Sequence, residues 1–145
     1  LRTFSKAYGL ASLRVGYGLS RPDVADVLNR VRQPFNVNSF ALAAACAAFD
    51  DAQSLARSCE INTAGMLQLQ EGCRELGLGW IPSKANFLAI DFGRDTAAIN
   101  QGLLREGVIV RPVAGYGMPN HLRVSIGLPA ENARFLEALR KVLNA

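Results

Sequence analysis

The chain has 145 residues, half of them apolar, with 16 basic against 12 acidic side chains and a net charge of +4. That is enough chain to bury one ordinary core, so a folded domain is expected. No apolar run reaches the roughly 18 residues needed to span a membrane, and no basic run is interleaved with aromatics, which excludes membrane and nucleic acid as expected partners.

The basic side is made of 13 arginines and three lysines, Lys6, Lys84 and Lys141. Three cysteines, Cys46, Cys59 and Cys73, form no CxxC pair, and each lies in a helix-like pattern. They read as buried thiols in a reducing compartment, so a cytoplasmic protein is expected. No signal peptide is visible, and a chain that opens on Leu1 is expected to be part of a longer protein.

Arg14–Ser20 (RVGYGLS) predicts a short strand, and RPDVADVLNRVR after it a helix with Pro22 in its first turn and Asp23 at its positive end. QPFNVN (Gln33 to Asn38) breaks the pattern, and Ser39 is placed to cap the alanine-rich segment FALAAACAAF, which reads as a buried helix. From Asp51 to Leu76 the positions Leu55, Cys59, Asn62, Met66, Leu69, Cys73 and Leu76 alternate spacings of four and three, one stripe of a long amphipathic helix closed by Gly77 and Gly79.

ANFLAIDF predicts a strand, and RDTAAINQGLLREG a helix with Asp95 or Thr96 at its N-cap and Gly107 past its end. VIVRPV and HLRVSIG predict two more strands around the turn-rich AGYGMPN. The last helix, Pro129 to Leu143, would bury Phe135, Leu136, Leu139, Val142 and Leu143. The expected class is α/β, with residues 51–145 forming an α/β domain of helices on a small sheet. Residues 1–50 offer a single strand with nothing to pair with, and are expected to be the tail of a larger domain.

Two constellations carry candidate chemistry. In RTFSKAYGLASLRVGYG, Thr3 and Ser5 set hydroxyls beside Lys6, Gly9, Gly16 and Gly18 allow close backbone approach, and Arg14 follows with a guanidinium that forks onto a phosphate. A nucleophilic lysine near a phosphorylated ligand is one reading of these residues, and a solvated loop lysine is the other. In HLRVSIG, Leu122, Val124 and Ile126 point to one face while His121, Arg123 and Ser125 point to the other. Arg123, with Arg111 in the preceding strand, is then either an anion reader or a solvated sheet arginine. His121, the sole histidine, has no clustered carboxylates to make a metal site.

TFSKAYGLASLRVGY closely resembles the cofactor-lysine segment of the class I/II pyridoxal-phosphate-dependent aminotransferases of fold type I. RVRQPFNVN, KANFL, GVIVRPVAGYG and LRVSIG follow in the order and spacing of the histidinol-phosphate aminotransferase branch, and the resemblance runs over nearly the whole chain. It implies pyridoxal 5'-phosphate as cofactor, with Lys6 as the amine that holds it and moves a proton at the reacting carbon. Thr3, Ser5 and Arg14 become ligands of the cofactor phosphate. It further implies that Arg111 and Arg123 hold the anionic group of the substrates, the phosphate of histidinol phosphate and the carboxylate of glutamate or 2-oxoglutarate.

A homodimer is implied as well, with the QPFNVN loop near its interface, Asn86 and Phe87 lining the substrate pocket and Tyr116 covering it. Residues 1–50 then belong to the large cofactor-binding domain and 51–145 to the small one. Ser12 stands where the family commonly has glycine. The family's aspartate for the pyridine nitrogen and the aromatic stacked on the ring come from segments ahead of the lysine, so these 145 residues alone are expected to be inactive. The alternatives are an aminotransferase for aromatic or other amino acids, a phosphate-substrate decarboxylase of the same fold, and a non-catalytic fragment that self-associates through an uncovered apolar surface.

Overall fold

The structure, a computed structural model, describes residues 1–144. The chain divides into two compact units, Leu1–Cys59 and Glu60–Ala145.

In the first unit, strands β1 (Arg2–Thr3) and β2 (Gly16–Tyr17) pair antiparallel, with Thr3 opposite Gly16. The strand expected over residues 14–20 is thus only two residues long, and it does have a partner: the chain's opening residues. Pieces this short carry no periodicity; the intervening turn sets their pairing. Inside it the Phe4 N–H donates to the Val15 carbonyl (3.2 Å), the Leu10 N–H to the Phe4 carbonyl (2.9 Å) and the Gly9 N–H to the Lys6 carbonyl (2.8 Å). A 3₁₀ turn over Ala11–Leu13 ends on Arg14 in the left-handed conformation, φ 55°.

Helix α1 (Pro22–Val31) opens on Pro22 as expected, and none of its residues is buried. Helix α2 (Ser39–Asp50) is capped by Asn38, whose side-chain oxygen accepts from the Ala41 N–H at 2.9 Å. The expected cap, Ser39, is instead the first helical residue, because the oxygen one position earlier already reaches the free N–H groups of the first turn. Within the alanine-rich helix only Ala41 and Ala45 are buried, so the expectation of a buried segment holds for one face only. These two pack with Phe4 and Val15, and the rings of Tyr8, Tyr17 and Phe49 surround Phe4.

Helix α3 (Ala52–Glu75) carries the chain from the first unit into the second. Hydrogen bonds from the Ser54 hydroxyl and backbone N–H to Asp51, just ahead of it, hold that carboxyl below the usual carboxylate range. The predicted stripe is core from Met66 onward, through Leu69 and Cys73, but Cys59 is exposed. The helix closes at Gly77, φ 67°, with the Leu78 N–H returning to the Cys73 carbonyl at 2.9 Å.

The second unit continues with β3 (Gly79–Ile81), β4 (Phe87–Asp91), α4 (Ala97–Arg105), β5 (Arg111–Pro112), β6 (His121–Ser125) and α5 (Pro129–Leu143). The sheet order is β3-β4-β6-β5, antiparallel at every step. Strand β3 was not expected; three residues beginning with a helix-ending glycine give no alternation to read. The strand expected over 108–113 pairs only at Arg111 and Pro112. The Val108 N–H is taken by the Leu103 carbonyl at 2.9 Å, and Pro112 has no N–H to offer, so only a short edge ladder forms.

Leu88 and Ile90 of β4 and Leu122 and Val124 of β6 pack with Leu69 and Cys73 of α3, Ile99 and Leu103 of α4, and Phe135, Leu136 and Leu139 of α5. Val142 and Leu143, expected inside, are partly buried against this core. Glycines bring the helices close: a Cβ on Gly72 would stand 2.4 Å from Leu136 Cδ2, and one on Gly102 would stand 2.7 Å from Val142 Cγ1. At the start of α5 the buried Asn132 accepts from the Gly127 N–H (2.9 Å) and donates to the Gly127 carbonyl and to Gln68 Oε1 (both 3.1 Å). Of the three cysteines Cys73 alone is buried, and burial pushes its thiol up to about 11; the expectation of three buried thiols is corrected at Cys46 and Cys59. Among the described residues no helix is long and apolar enough to cross a membrane.

Candidate functional site

The first unit gathers Thr3, Ser5, Lys6 and Arg14 onto one short turn. The Thr3 to Gly16 pairing and the Phe4 to Val15 hydrogen bond lay residues 3–5 alongside residues 14–16. Phe4 is the anchor, 2% exposed, so the residues on either side of it are held at the surface. Thr3 Oγ1 accepts from the Ser5 N–H at 3.1 Å, which leaves the threonine hydroxyl proton to donate outward. Arg14 Nη1 donates to the Ala11 carbonyl at 2.9 Å, fixing the guanidinium base while its other N–H donors stay open.

A left-handed arginine costs of order 1 kcal/mol against ordinary backbone, and here the turn imposes it. Among the described residues neither Lys6 nor Arg14 has a carboxylate partner within ion-pair distance. Two hydroxyls, a guanidinium and an ammonium with no counter-charge form a donor set that fits a phosphate dianion. Ser12 lies in the 3₁₀ turn, exposed.

The second unit places Arg111 directly opposite Arg123 across β5 and β6, with Ala89 opposite Arg123 on its other side. Leu122 and Val124 are buried in the helix-facing core, so the predicted alternation of β6 holds. Like charges facing across a ladder are destabilising, and among the described residues neither arginine has a carboxylate within ion-pair distance. The Arg123 Nε is buried without a hydrogen-bond partner.

Beside this pair is a cavity of about 440 Å³, lined by Val108 to Arg111, Arg123 to Gly127, Glu131, Asn132 and Phe135. It opens where residues 108–110 leave the register that would pair them with residues 124–126. An arginine pair at the rim of a mostly apolar hollow is suited to an anionic small molecule.

The chain as a whole is similar to known proteins. The family model for aminotransferase class I and II matches residues 1–139. The chain belongs to this family. It is 76% identical over 142 residues to histidinol-phosphate aminotransferase 2 of Pseudomonas fluorescens, covering 98% of this chain and 38% of that protein. It is 72% identical to histidinol-phosphate aminotransferase 2 of Pseudomonas aeruginosa at the same coverage of both. The crystal structure of histidinol-phosphate aminotransferase from Sinorhizobium meliloti, in complex with pyridoxal-5'-phosphate, superposes with a TM-score of 0.86 at 33% identity, covering 98% of this chain and 40% of that one. The chain therefore spans about 38% of the length of the curated relatives it matches.

Other residues of the chain take plainer places. The Asn86 carbonyl accepts from the Ile126 N–H at 2.9 Å, extending the β4 to β6 ladder. Tyr116 ends an exposed 3₁₀ turn, and neither it nor the expected pocket residues Asn86 and Phe87 line the cavity. Phe35 in the QPFNVN loop is left-handed, φ 55°, and 98% exposed. His121 Nε2 lies 3.9 Å from Asp91 Oδ2. Sequence reasoning missed Glu131 and Asn132 as cavity residues; in a helical pattern they look like an ordinary first turn, and only the packing of α5 onto β6 turns them toward the hollow.

Proposed function

We propose that this chain is the C-terminal part of a pyridoxal-phosphate-dependent histidinol-phosphate aminotransferase of histidine biosynthesis. The whole enzyme exchanges an amino group between L-histidinol phosphate and 2-oxoglutarate, giving imidazole-acetol phosphate and glutamate. The observation that carries this is the turn holding Lys6 between Thr3, Ser5 and the left-handed Arg14, with the high identity to proteins of that name supporting the substrate. When bound, pyridoxal phosphate supplies an electron sink for the substrate's reacting carbon. Thr3, Ser5 and Arg14 hold its phosphate, and Lys6 carries it and moves the proton. Arg111 and Arg123 bind the substrate anion, phosphate in one half-reaction and carboxylate in the other, because the guanidinium fork accepts either oxyanion.

In this reading residues 1–50 belong to the large domain and 51–145 to the small one, the enzyme is a cytoplasmic homodimer, and these 145 residues alone do not turn over substrate. With three lysines in the chain, the test is direct: add stoichiometric pyridoxal phosphate, reduce with borohydride, and map the pyridoxyl group by peptide mass. Selective labelling of Lys6 is expected; labelling spread evenly over Lys6, Lys84 and Lys141 would count against the assignment. For the parent, turnover of histidinol phosphate well above phenylalanine separates this enzyme from a general aromatic aminotransferase.

A further inference from the structure

Arg123 poses a physical problem. It stands on the central strand β6, between Ala89 on one neighbouring strand and Arg111 on the other. Its nearest cross-strand charge is of its own sign, its Nε is buried without a partner, and no carboxylate among the described residues lies within ion-pair distance of it. Left to itself such a side chain would swing away from Arg111 into water and lose its alignment.

What holds it is a ring. The Arg123 guanidinium carbon lies 4.9 Å from the centroid of Phe87. Phe87 pairs with Ser125, two residues along β6 from Arg123, so the ring reaches the arginine on the diagonal of one sheet face. The residue directly opposite Arg123 on β4 is Ala89, whose single methyl leaves the guanidinium room to lean along the face toward the ring. The other cation-π contact, Arg74 over Trp80 at 5.9 Å, belongs to an arginine already paired with Glu71. Among the described residues Arg123 has no ion-pair partner, and the ring is its cation-π contact.

We infer that Phe87 is a positioning residue for the anion site: its face orients the Arg123 guanidinium beside Arg111 without neutralising it. A carboxylate would orient the arginine as well, but it would compete with the incoming anion for the same N–H donors. An aromatic face attracts the cation through its quadrupole and leaves the edge donors open. The inference rests on the proposed reading of Arg111 and Arg123 as the anion-binding pair.

The test uses the ¹⁵N-labelled chain, inorganic phosphate as the probe, and the Arg123 Nε–Hε resonance, assigned by its loss in Arg123→Lys. In the unmodified chain this resonance is expected upfield of the arginines that face no ring, from the ring current of Phe87, and is expected to move on phosphate addition. Phe87→Leu should abolish the upfield position and weaken phosphate binding about fivefold, while Phe87→Tyr should keep both near their original values. Phe87→Met, close in volume but without a π face, serves as the second variant if the leucine form does not fold.

Phosphate affinity within twofold of the original in the folded leucine or methionine variant, with Arg123→Lys still losing binding, overturns the inference and leaves the anion site standing. If phosphate fails to move the Arg123 signal in the unmodified chain, the anion reading falls and takes the inference with it.

Discussion

Gly16 lies directly opposite Thr3, so close that a Cβ on Gly16 would stand 2.6 Å from the Arg2 carbonyl oxygen. The obstacle is backbone, which cannot turn aside as a side-chain tip can. Gly16→Ala is therefore expected to part β1 from β2 and cost about 1–3 kcal/mol, as overpacking does. Because that pairing aligns Thr3 and Ser5 with Arg14, the variant should also lose selective pyridoxyl labelling of Lys6. Unchanged selectivity and unchanged thermal midpoint would mean that the turn does not depend on this pairing.

Asn132 is 2% exposed and bonds both polar groups of the Gly127 backbone as well as Gln68. Asn132→Ala leaves those groups without partners at the entry to α5, with an expected loss of about 2–4 kcal/mol. Urea unfolding followed by the single tryptophan, Trp80, reports on this unit. A midpoint equal to that of the unmodified chain would show that water replaces the asparagine at no cost.

Burial lifts the Cys73 thiol from 9.0 to about 11. In the folded chain it therefore keeps its proton where an unfolded chain would lose it. The stabilisation from a buried neutral thiol is complete below pH 9 and is lost as pH climbs through about 11. At pH 8, iodoacetamide should modify the exposed Cys46 and Cys59 and spare Cys73 until denaturant is added. Equal modification of all three in the native chain would contradict the buried placement.

Helix α1 presents Val24, Val27, Leu28 and Val31, all exposed, at helical spacings of three and four. Phe35 and Phe40, at 98% and 80% exposure, add to the uncovered apolar surface of the first unit. Surface of this kind is expected to drive self-association, so the sedimentation coefficient of the chain should rise with concentration, and Val27→Glu with Leu28→Lys should suppress the rise. A monomer at every concentration tested would dismiss the self-associating reading.

Where a segment is long and its pattern regular, the chain order alone was enough. Pro22 at the start of α1, the core stripe of α3 from Met66 to Cys73, the alternation of Leu122 and Val124 against Arg123, and Phe135, Leu136 and Leu139 in α5 all stand where their spacing put them. Periodicity works there because a helix or strand that buries one face must repeat its apolar residues at the period of its backbone. Family membership was legible for a similar reason: TFSKAYGLASLRVGY is long and specific, and the family model matches residues 1–139.

Tertiary structure decided the rest. β1, β3 and β5 are two or three residues long, shorter than any pattern, and exist because partner strands satisfy their backbone groups. Which cysteines are buried depended on what each helix face meets, since Cys59 and Cys73 share one predicted stripe and only Cys73 meets the core. The same holds for the candidate anion site. The two arginines were visible in the chain order, but that they face each other across a ladder, with Phe87 beneath one of them, is a matter of strand register. The alternation of each strand fixes which face an arginine takes, but which residue it meets across the ladder depends on pairing with another segment of the chain.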